Sequence, residues 1–170
     1  MARAFPFPRM AMPATVALAG GGVFALVSLW LGQGDGLLDT DSAMRLAEVR
    51  DLLAGQGWFD MTQTRMNVPD GLVMHWSRLV DAPLALLIRL TGSESFAMTA
   101  WPLLLFAALA FVTARLALVM GGRIAMLAAA FLLLLCATLF SIFSPGIIDH
   151  HGLELVLTSA ALLGLAEQRP

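Results

Sequence analysis

Four residues that can bind a metal ion or transfer a proton stand together near the C-terminal end of the sequence. Asp149, His150, His151 and Glu154 lie in "IIDHHGLE", between one long apolar run and the next. Carboxylates and imidazoles are ordinary ligands for divalent cations, and a carboxylate can also act as a general acid or base. If a helix begins here, His150 and Glu154 share one of its faces because they are four residues apart.

The residue types alone leave several interpretations of this corner open. Carboxylates at a membrane surface could hold Mg²⁺ or Mn²⁺, which in turn would bind a phosphate or diphosphate, and the imidazoles would also suit Zn²⁺. The HExxH pattern of zinc proteases is absent, which weakens a zinc-enzyme interpretation. The structural alternative is that Asp149 caps a helix and is stabilised by the helix dipole. No Walker loop, GxGxxG, GxSxG or CxxC pattern is present.

A second polar group lies early in the chain, in "DTDSAMRLAEVRDLLAGQGW". Asp39, Thr40 or Asp41 can cap a helix that Gly55 and Gly57 end. The spacing favours an amphipathic helix in the membrane interface, with Arg45 among its solvated charges. Further on, His75 beside Trp76 is a candidate for substrate binding, although a structural or surface histidine is the alternative.

The composition indicates a membrane protein. Of 170 residues, 59% are hydrophobic and 13% are charged, and a soluble domain of this length could not bury so much apolar surface. We predict an all-α, polytopic helix bundle with four transmembrane helices, at about 13–32, 96–120, 124–143 and 152–167. Amphipathic helices are expected in a long outer loop, about 33–95, and the chain is predicted to be one membrane domain, 1–170. "MGGR" at Met120–Arg123 is expected to be a tight turn.

The basic residues predict the orientation of these spans. Arg3 and Arg9 precede the first span, Arg115 and Arg123 flank the turn between the second and third, and Arg169 follows the fourth. Because basic residues accumulate on the cytoplasmic side, both termini are predicted to be cytoplasmic. Both acidic groups, the early one including Asp35, then lie on the outer face. The net charge of −2 gives no sign of nucleic-acid binding.

At these motifs the chain resembles the N-terminal part of the GT-C superfamily of membrane glycosyltransferases, in particular the catalytic subunits of oligosaccharyltransferases. The early "DTDSAMRLAEVRDLLAGQGWFD" is similar to the family's first acidic motif. "NVPDGLVMHWSRLVDAPLALL" looks like the end of the family's first outer loop, and "IIDHHGLE" matches one form of its second acidic motif. The aromatic residues usual around the first acid are replaced by Ala43 and Met44.

The resemblance implies a function and roles for individual residues. Asp149, His151 and Glu154, with His150, would bind a divalent cation, Mn²⁺ or Mg²⁺, that holds the phosphate of a polyprenyl-linked sugar donor. Asp41 or Asp39 would be the catalytic acid of the first loop, and Arg45, with His75 and Trp76, would bind the substrate. The implied location is the outer (periplasmic) face of a bacterial inner membrane, and the implied partners are the lipid-linked donor, membrane lipid and a further subunit or C-terminal part.

The family typically has more spans than these 170 residues can form, so the resemblance covers only the start of such an enzyme. The alternative function is therefore a non-catalytic membrane protein of the same ancestry that binds a lipid carrier or a partner subunit.

Overall fold

The structure, a computed structural model, describes residues 8–31 and 39–168, the first three of these by their backbone alone. It is mostly helical, with 75% of residues in six helices. The helices are α1 (Pro8–Trp30), α2 (Thr40–Leu53), α3 (Arg78–Thr91), α4 (Glu94–Leu135), α5 (Ala137–Phe143) and α6 (His151–Glu167). Strands β1 (Thr62–Gln63) and β2 (Leu72–Val73) form an antiparallel hairpin between α2 and α3. Arg3, Asp35 and Arg169, used above for orientation and site, lie outside the described residues.

Two helices are long and apolar enough to cross a membrane, judged by length and composition: Ala11–Trp30 of α1 and Glu94–Leu135, which is all of α4. The predicted helical fold is therefore confirmed in its coarser form, as a mostly helical chain with two candidate spans. The 17 residues of α6 lie at the lower limit for crossing a bilayer. The full four-span topology stays a prediction.

The chain reverses direction within α4. Gly122 has φ 75° and ψ −164°, a backbone conformation outside the helix that favours glycine. A straight helix would carry the chain about 40 Å from Phe106 to Leu135, yet the rings of Phe106 and Phe143 have centroids only 5.7 Å apart. The segment after Gly122 therefore returns alongside the first, as the predicted turn at "MGGR" requires.

The core between the long helices is built from phenylalanines. Phe24 of α1 stacks on Phe106 of α4 at a centroid distance of 3.8 Å and on Phe140 of α5 at 4.6 Å. Phe24 and Phe143 are fully buried. Gly21 allows α1 to approach α4 closely, because a Cβ there would lie 3.4 Å from the Cβ of Ala107. These contacts fix the end of the bundle from which α6 begins.

The predicted third span, 124–143, is not one uninterrupted helix. Cys136 has an extended backbone, with φ −78° and ψ 98°, and separates α4 from α5. The run between Ile124 and Phe143 contains neither glycine nor proline. No helix-breaking residue in the sequence therefore marked this position.

The predicted outer loop, which the structure describes from residue 39 onward, folds onto the start of α4. Its two helices pack against each other and α3 packs on α4, with a small buried core made by Leu46, Val49, Leu84, Ala85, Ala97 and Ile148. α3 begins after Ser77, whose hydroxyl accepts a hydrogen bond from the Leu79 N–H and so caps the helix. The hairpin was not predicted. Its turn contains "PDG", with Gly71 at φ 79°.

Gly152 offers a test of the packing beneath the corner. A Cβ at this position would lie 3.1 Å from Phe143 Cε1 and 3.2 Å from Leu105 Cδ1. We expect Gly152→Val to lower the free energy of unfolding by about 1–3 kcal/mol through overpacking, measured by denaturation in detergent. Gly164→Val is the matched control, because a Cβ on Gly164 of the same helix meets nothing within 4 Å. Equal losses in both variants would contradict close packing at Gly152.

Candidate functional site

The corner between α5 and α6 is fastened to two other elements by backbone hydrogen bonds. The Ile148 N–H donates to the Ser42 hydroxyl in the first turn of α2 at 3.0 Å. The Gly146 N–H donates to the Met98 carbonyl in α4, also at 3.0 Å. That carbonyl is open because Pro102, four residues later, has no N–H to donate. These two hydrogen bonds hold the corner in place independently of any ligand.

Asp149 has the contacts of a helix-capping residue. Its Oδ1 accepts a hydrogen bond from the backbone N–H of His151 at 3.0 Å, at the start of α6. Its Oδ2 lies 3.9 Å from Nε2 of His151, and its side chain is mostly buried. The N-cap position of α6 is His150, so the structural alternative considered for this corner describes only the first of Asp149's contacts. The second brings its carboxylate close to the His151 imidazole without a hydrogen bond.

The other three residues of the corner form a cluster of possible metal ligands. His150, His151 and Glu154 each offer one ligand atom, and these atoms lie within 4.8 Å of one another. Glu154 Oε1 is 3.9 Å from His150 Nε2, and Glu154 Oε2 is 3.5 Å from His151 Nδ1. Ligands of a tetrahedral ion with bonds of about 2.05 Å stand about 3.4 Å apart. The three donor atoms stand farther apart than this, so the cluster could hold a small divalent cation only after these side chains move closer together.

A groove with a cavity volume of about 320 Å³ adjoins this cluster. Its apolar wall is made by Leu79 and Val80 of α3 and by Leu153 and Leu157 of α6. Its polar lining brings together five of the residues singled out in the sequence: Arg45, His75, Trp76, His150 and Glu154. Three segments of the chain, at Arg45, 75–80 and 150–157, thus form one site with a polar end and an apolar side.

The two early aspartates differ in their contacts. Asp39 is the N-cap of α2, since its Oδ1 accepts the Ser42 N–H at 2.6 Å. Asp41 lies exposed in the first turn of the same helix. The bond between Ser42 and Ile148 joins the residue after Asp41 to the residue before Asp149. Neither Asp39 nor Asp41 is among the described residues that line the groove.

The prediction that Arg45 is one of the solvated charges of α2 is wrong. This side chain is fully buried, and its Nη1 donates to Asp81 Oδ1 at 2.8 Å. Its guanidinium lies 4.3 Å from the centre of the Trp76 ring, a cation–π contact. The Trp76 ring is in turn 6.2 Å from that of His150. Because α3 covers α2, Arg45 supports the aromatic wall of the groove from behind.

Sequence reasoning missed a buried ionic network beneath this wall. Asp81 binds both Arg45 and Arg78, and Arg78 Nη1 also donates to the backbone carbonyl of Glu48 at 3.0 Å. The second Arg78 nitrogen donates to Gln56 and to the carbonyl of Asp60. In "WSRLVDAP" the spacing of Arg78 and Asp81 allowed an ion pair on one helix face. Only the packing of α3 against α2 shows that this pair is buried.

Glu48 gives this network a pH dependence. Burial and, to a lesser extent, the Asp81 carboxylate raise the pKa of Glu48 from 4.5 to about 7, against the lowering effect of the guanidinium groups of Arg45 and Arg78. Between pH 4.5 and 7 the folded protein therefore holds a proton that the unfolded chain has released. The free energy of unfolding should fall as pH rises through this window, by at most about 1.4 kcal/mol per pH unit.

We expect Glu48→Gln to flatten this dependence, measured by denaturation in detergent from pH 5 to pH 8. Glu94→Gln is the control, because the hydrogen bond from Arg50 lowers the pKa of Glu94 and leaves it charged throughout the window. An unchanged slope in Glu48→Gln would contradict a titrating Glu48.

Comparisons with models of known families, with curated proteins and with solved structures find no match to this chain. The likeness to the GT-C glycosyltransferases therefore depends on the quoted motifs alone. Function has to be argued from the corner, the groove and the elements that hold them.

Proposed function

We propose that this chain is a membrane glycosyltransferase of the GT-C type, or the N-terminal portion of one, that uses a polyprenyl-phosphate-linked sugar at the outer membrane face. The observation that carries the proposal is the groove, in which a cluster of metal ligands adjoins an apolar wall. A polyprenyl phosphate likewise has a charged part and an apolar part, because its phosphate carries a concentrated negative charge and its tail is purely apolar.

The polar end of the groove suits the phosphate. His150, His151 and Glu154 would hold a divalent cation, with Asp149 fixing the His151 imidazole from behind as outer partners of metal ligands commonly do. The bound cation would supply positive charge against the phosphate leaving group. Trp76 and His75 would flank the donor.

The apolar side suits the first units of the lipid tail. Leu153 and Leu157 are one turn apart on α6, and Leu79 and Val80 face them from the start of α3. A tail in contact with these side chains would leave the groove toward the bilayer, where α6 continues as an apolar helix. Asp41, or Asp39 if its capping bond is given up, would act on the acceptor near the Ser42–Ile148 bond.

The proposed topology has four spans, both termini in the cytoplasm and the site on the outer face of a bacterial inner membrane. The chain reversal at Gly122 and the corner before α6 support it, because they give the helices after α1 an alternating direction. Arg115 and Arg123 flank the reversal, as basic residues near a cytoplasmic turn would.

The test is metal-dependent binding of a polyprenyl phosphate to the purified 170-residue chain in detergent micelles. We expect calorimetry to show binding in Mn²⁺ that is lost on chelation, and weaker binding in the variant Leu157→Asp, which places a charge on the apolar wall. Leu162→Asp, an exposed position on α6 outside the groove lining, is the matched control. Metal-independent lipid binding would instead favour the non-catalytic lipid-carrier protein, and no binding in either condition would reject both.

A further inference from the structure

The outer loop contains two helices of equal length whose uncovered faces differ in chemistry. Both α2 and α3 have 14 residues. The exposed positions of α2 include Thr40, Asp41 and Arg50, which are polar and suit water. α3 exposes leucines instead, and contact between these apolar side chains and water is unfavourable.

The exposed leucines of α3 form one continuous stripe. Leu79, Leu86 and Leu90 recur at intervals of seven and four residues, which places them on one helix face. Their exposed fractions are 68%, 57% and 74%. The opposite face holds Leu84, which is buried against α2 and α4. α3 is therefore apolar on the side that the rest of the protein leaves open.

We infer that α3 lies in the plane of the outer leaflet, with its leucine stripe in contact with lipid. A helix of 14 residues is about 21 Å long, too short to cross a bilayer, so contact with lipid requires it to lie along the surface. The stripe starts at Leu79, which shares the groove wall with Leu157 of α6. The lipid-facing surface of α3 is thereby continuous with that of a proposed spanning helix.

The residues around the stripe have the chemistry of a membrane interface. Arg89 is exposed beside Leu90, where its guanidinium can reach lipid phosphates. Trp76 lies just before the helix, as aromatic residues do at the level of lipid headgroups. On the inner side, Ala85 of α3 and Ala97 of α4 belong to one buried cluster, which sets α3 at the level where the apolar run of α4 begins.

Site-directed spin labelling tests this inference in the full chain, reconstituted in vesicles of phosphatidylcholine and phosphatidylglycerol. The one cysteine, Cys136, is first replaced by serine, and nitroxides are attached in the single variants Leu79→Cys, Leu86→Cys and Leu90→Cys. Three positions are used so that one poorly folding variant does not decide the result. Oxygen concentrates in lipid and a nickel chelate stays in water, so the ratio of their collision rates reports the surroundings of each label.

Two further positions calibrate the ratio. Ala43→Cys, on the exposed face of α2, is the water reference, and Leu26→Cys, exposed on α1, is the reference for a spanning helix. We expect the oxygen-to-nickel ratio on the α3 stripe to exceed that at Ala43 by several-fold and to approach that at Leu26.

Either of two results overturns the inference. A ratio on the stripe equal to that at Ala43 means that α3 faces water. Low collision rates with both reagents mean that protein covers the stripe. The experiment needs neither metal nor donor, so a failure of the proposed enzyme function leaves it intact. A lipid-like ratio at Leu26 with a water-like ratio at Leu86 would reject the α3 placement alone.

Discussion

His151→Ala and Glu154→Gln should each abolish Mn²⁺ binding by the purified protein, measured by calorimetry in detergent. Each variant removes one of three candidate ligands whose atoms lie within 4.8 Å of one another. Asp149→Asn should weaken binding by about 10–100-fold, the usual cost of losing a partner that orients a metal ligand. The amide keeps an oxygen for the His151 N–H but loses the charge beside the imidazole.

His75→Ala is the control for this series. His75 lines the same groove but is absent from the ligand cluster of the described residues, so its loss should leave Mn²⁺ affinity unchanged. Equal affinity in the wild type and His151→Ala would reject the metal site. A larger loss of Mn²⁺ affinity in Asp149→Asn than in Glu154→Gln would indicate that Asp149 is a direct ligand. The corner would then have to rearrange when the ion binds.

Asp81→Ala should be the most damaging substitution in the outer loop. It removes a carboxylate that pairs with two buried guanidinium groups, because Asp81 binds Arg45 at 2.8 Å and Arg78 at 3.0 Å. Removing one partner of a buried ion pair costs about 3–5 kcal/mol, since the remaining charge stays out of water. Thermal unfolding in detergent should show the melting temperature falling by roughly 10 °C.

Asp51→Ala provides the comparison within the same loop. Asp51 pairs with Arg65 at 2.6 Å, but both side chains are partly exposed, and such surface pairs contribute about 0–1 kcal/mol. A similar shift in both variants would mean that the Asp81 network is solvated. Because Arg45 lies under Trp76, Asp81→Ala should also alter tryptophan fluorescence, while Asp51→Ala should not.

The sequence was informative wherever local pattern decides the structure. The cap at Asp39, the end of α2 at Leu53 and the reversal near Gly122 depend on residues close together in the chain, and each follows from side-chain chemistry or the freedom of glycine. The corner before α6 was also predictable, since a polar stretch between two apolar runs has to mark the end of one helix and the start of another.

Features that depend on distant residues were not predictable in the same way. The burial of Arg45 requires α3 to cover α2, and nothing within "SAMRLAEVR" distinguishes a buried arginine from a solvated one. The break at Cys136 lies in a run without glycine or proline, so no local signal in the sequence predicted it. The groove joins α3 to α6, and its existence follows from how helices pack, which periodicity does not determine.

The bond between Ser42 and Ile148 spans 106 residues of chain and so has a consequence for synthesis. Ribosomes add about 5–20 residues per second, so Ser42 leaves the ribosome roughly 5–20 seconds before its partner. During that interval α2 and α3 can meet each other and the start of α4, but the corner does not yet exist. The groove therefore cannot assemble before the corner and α6 have been synthesised, and a nascent chain halted before Ile148 carries α2 and α3 without a site.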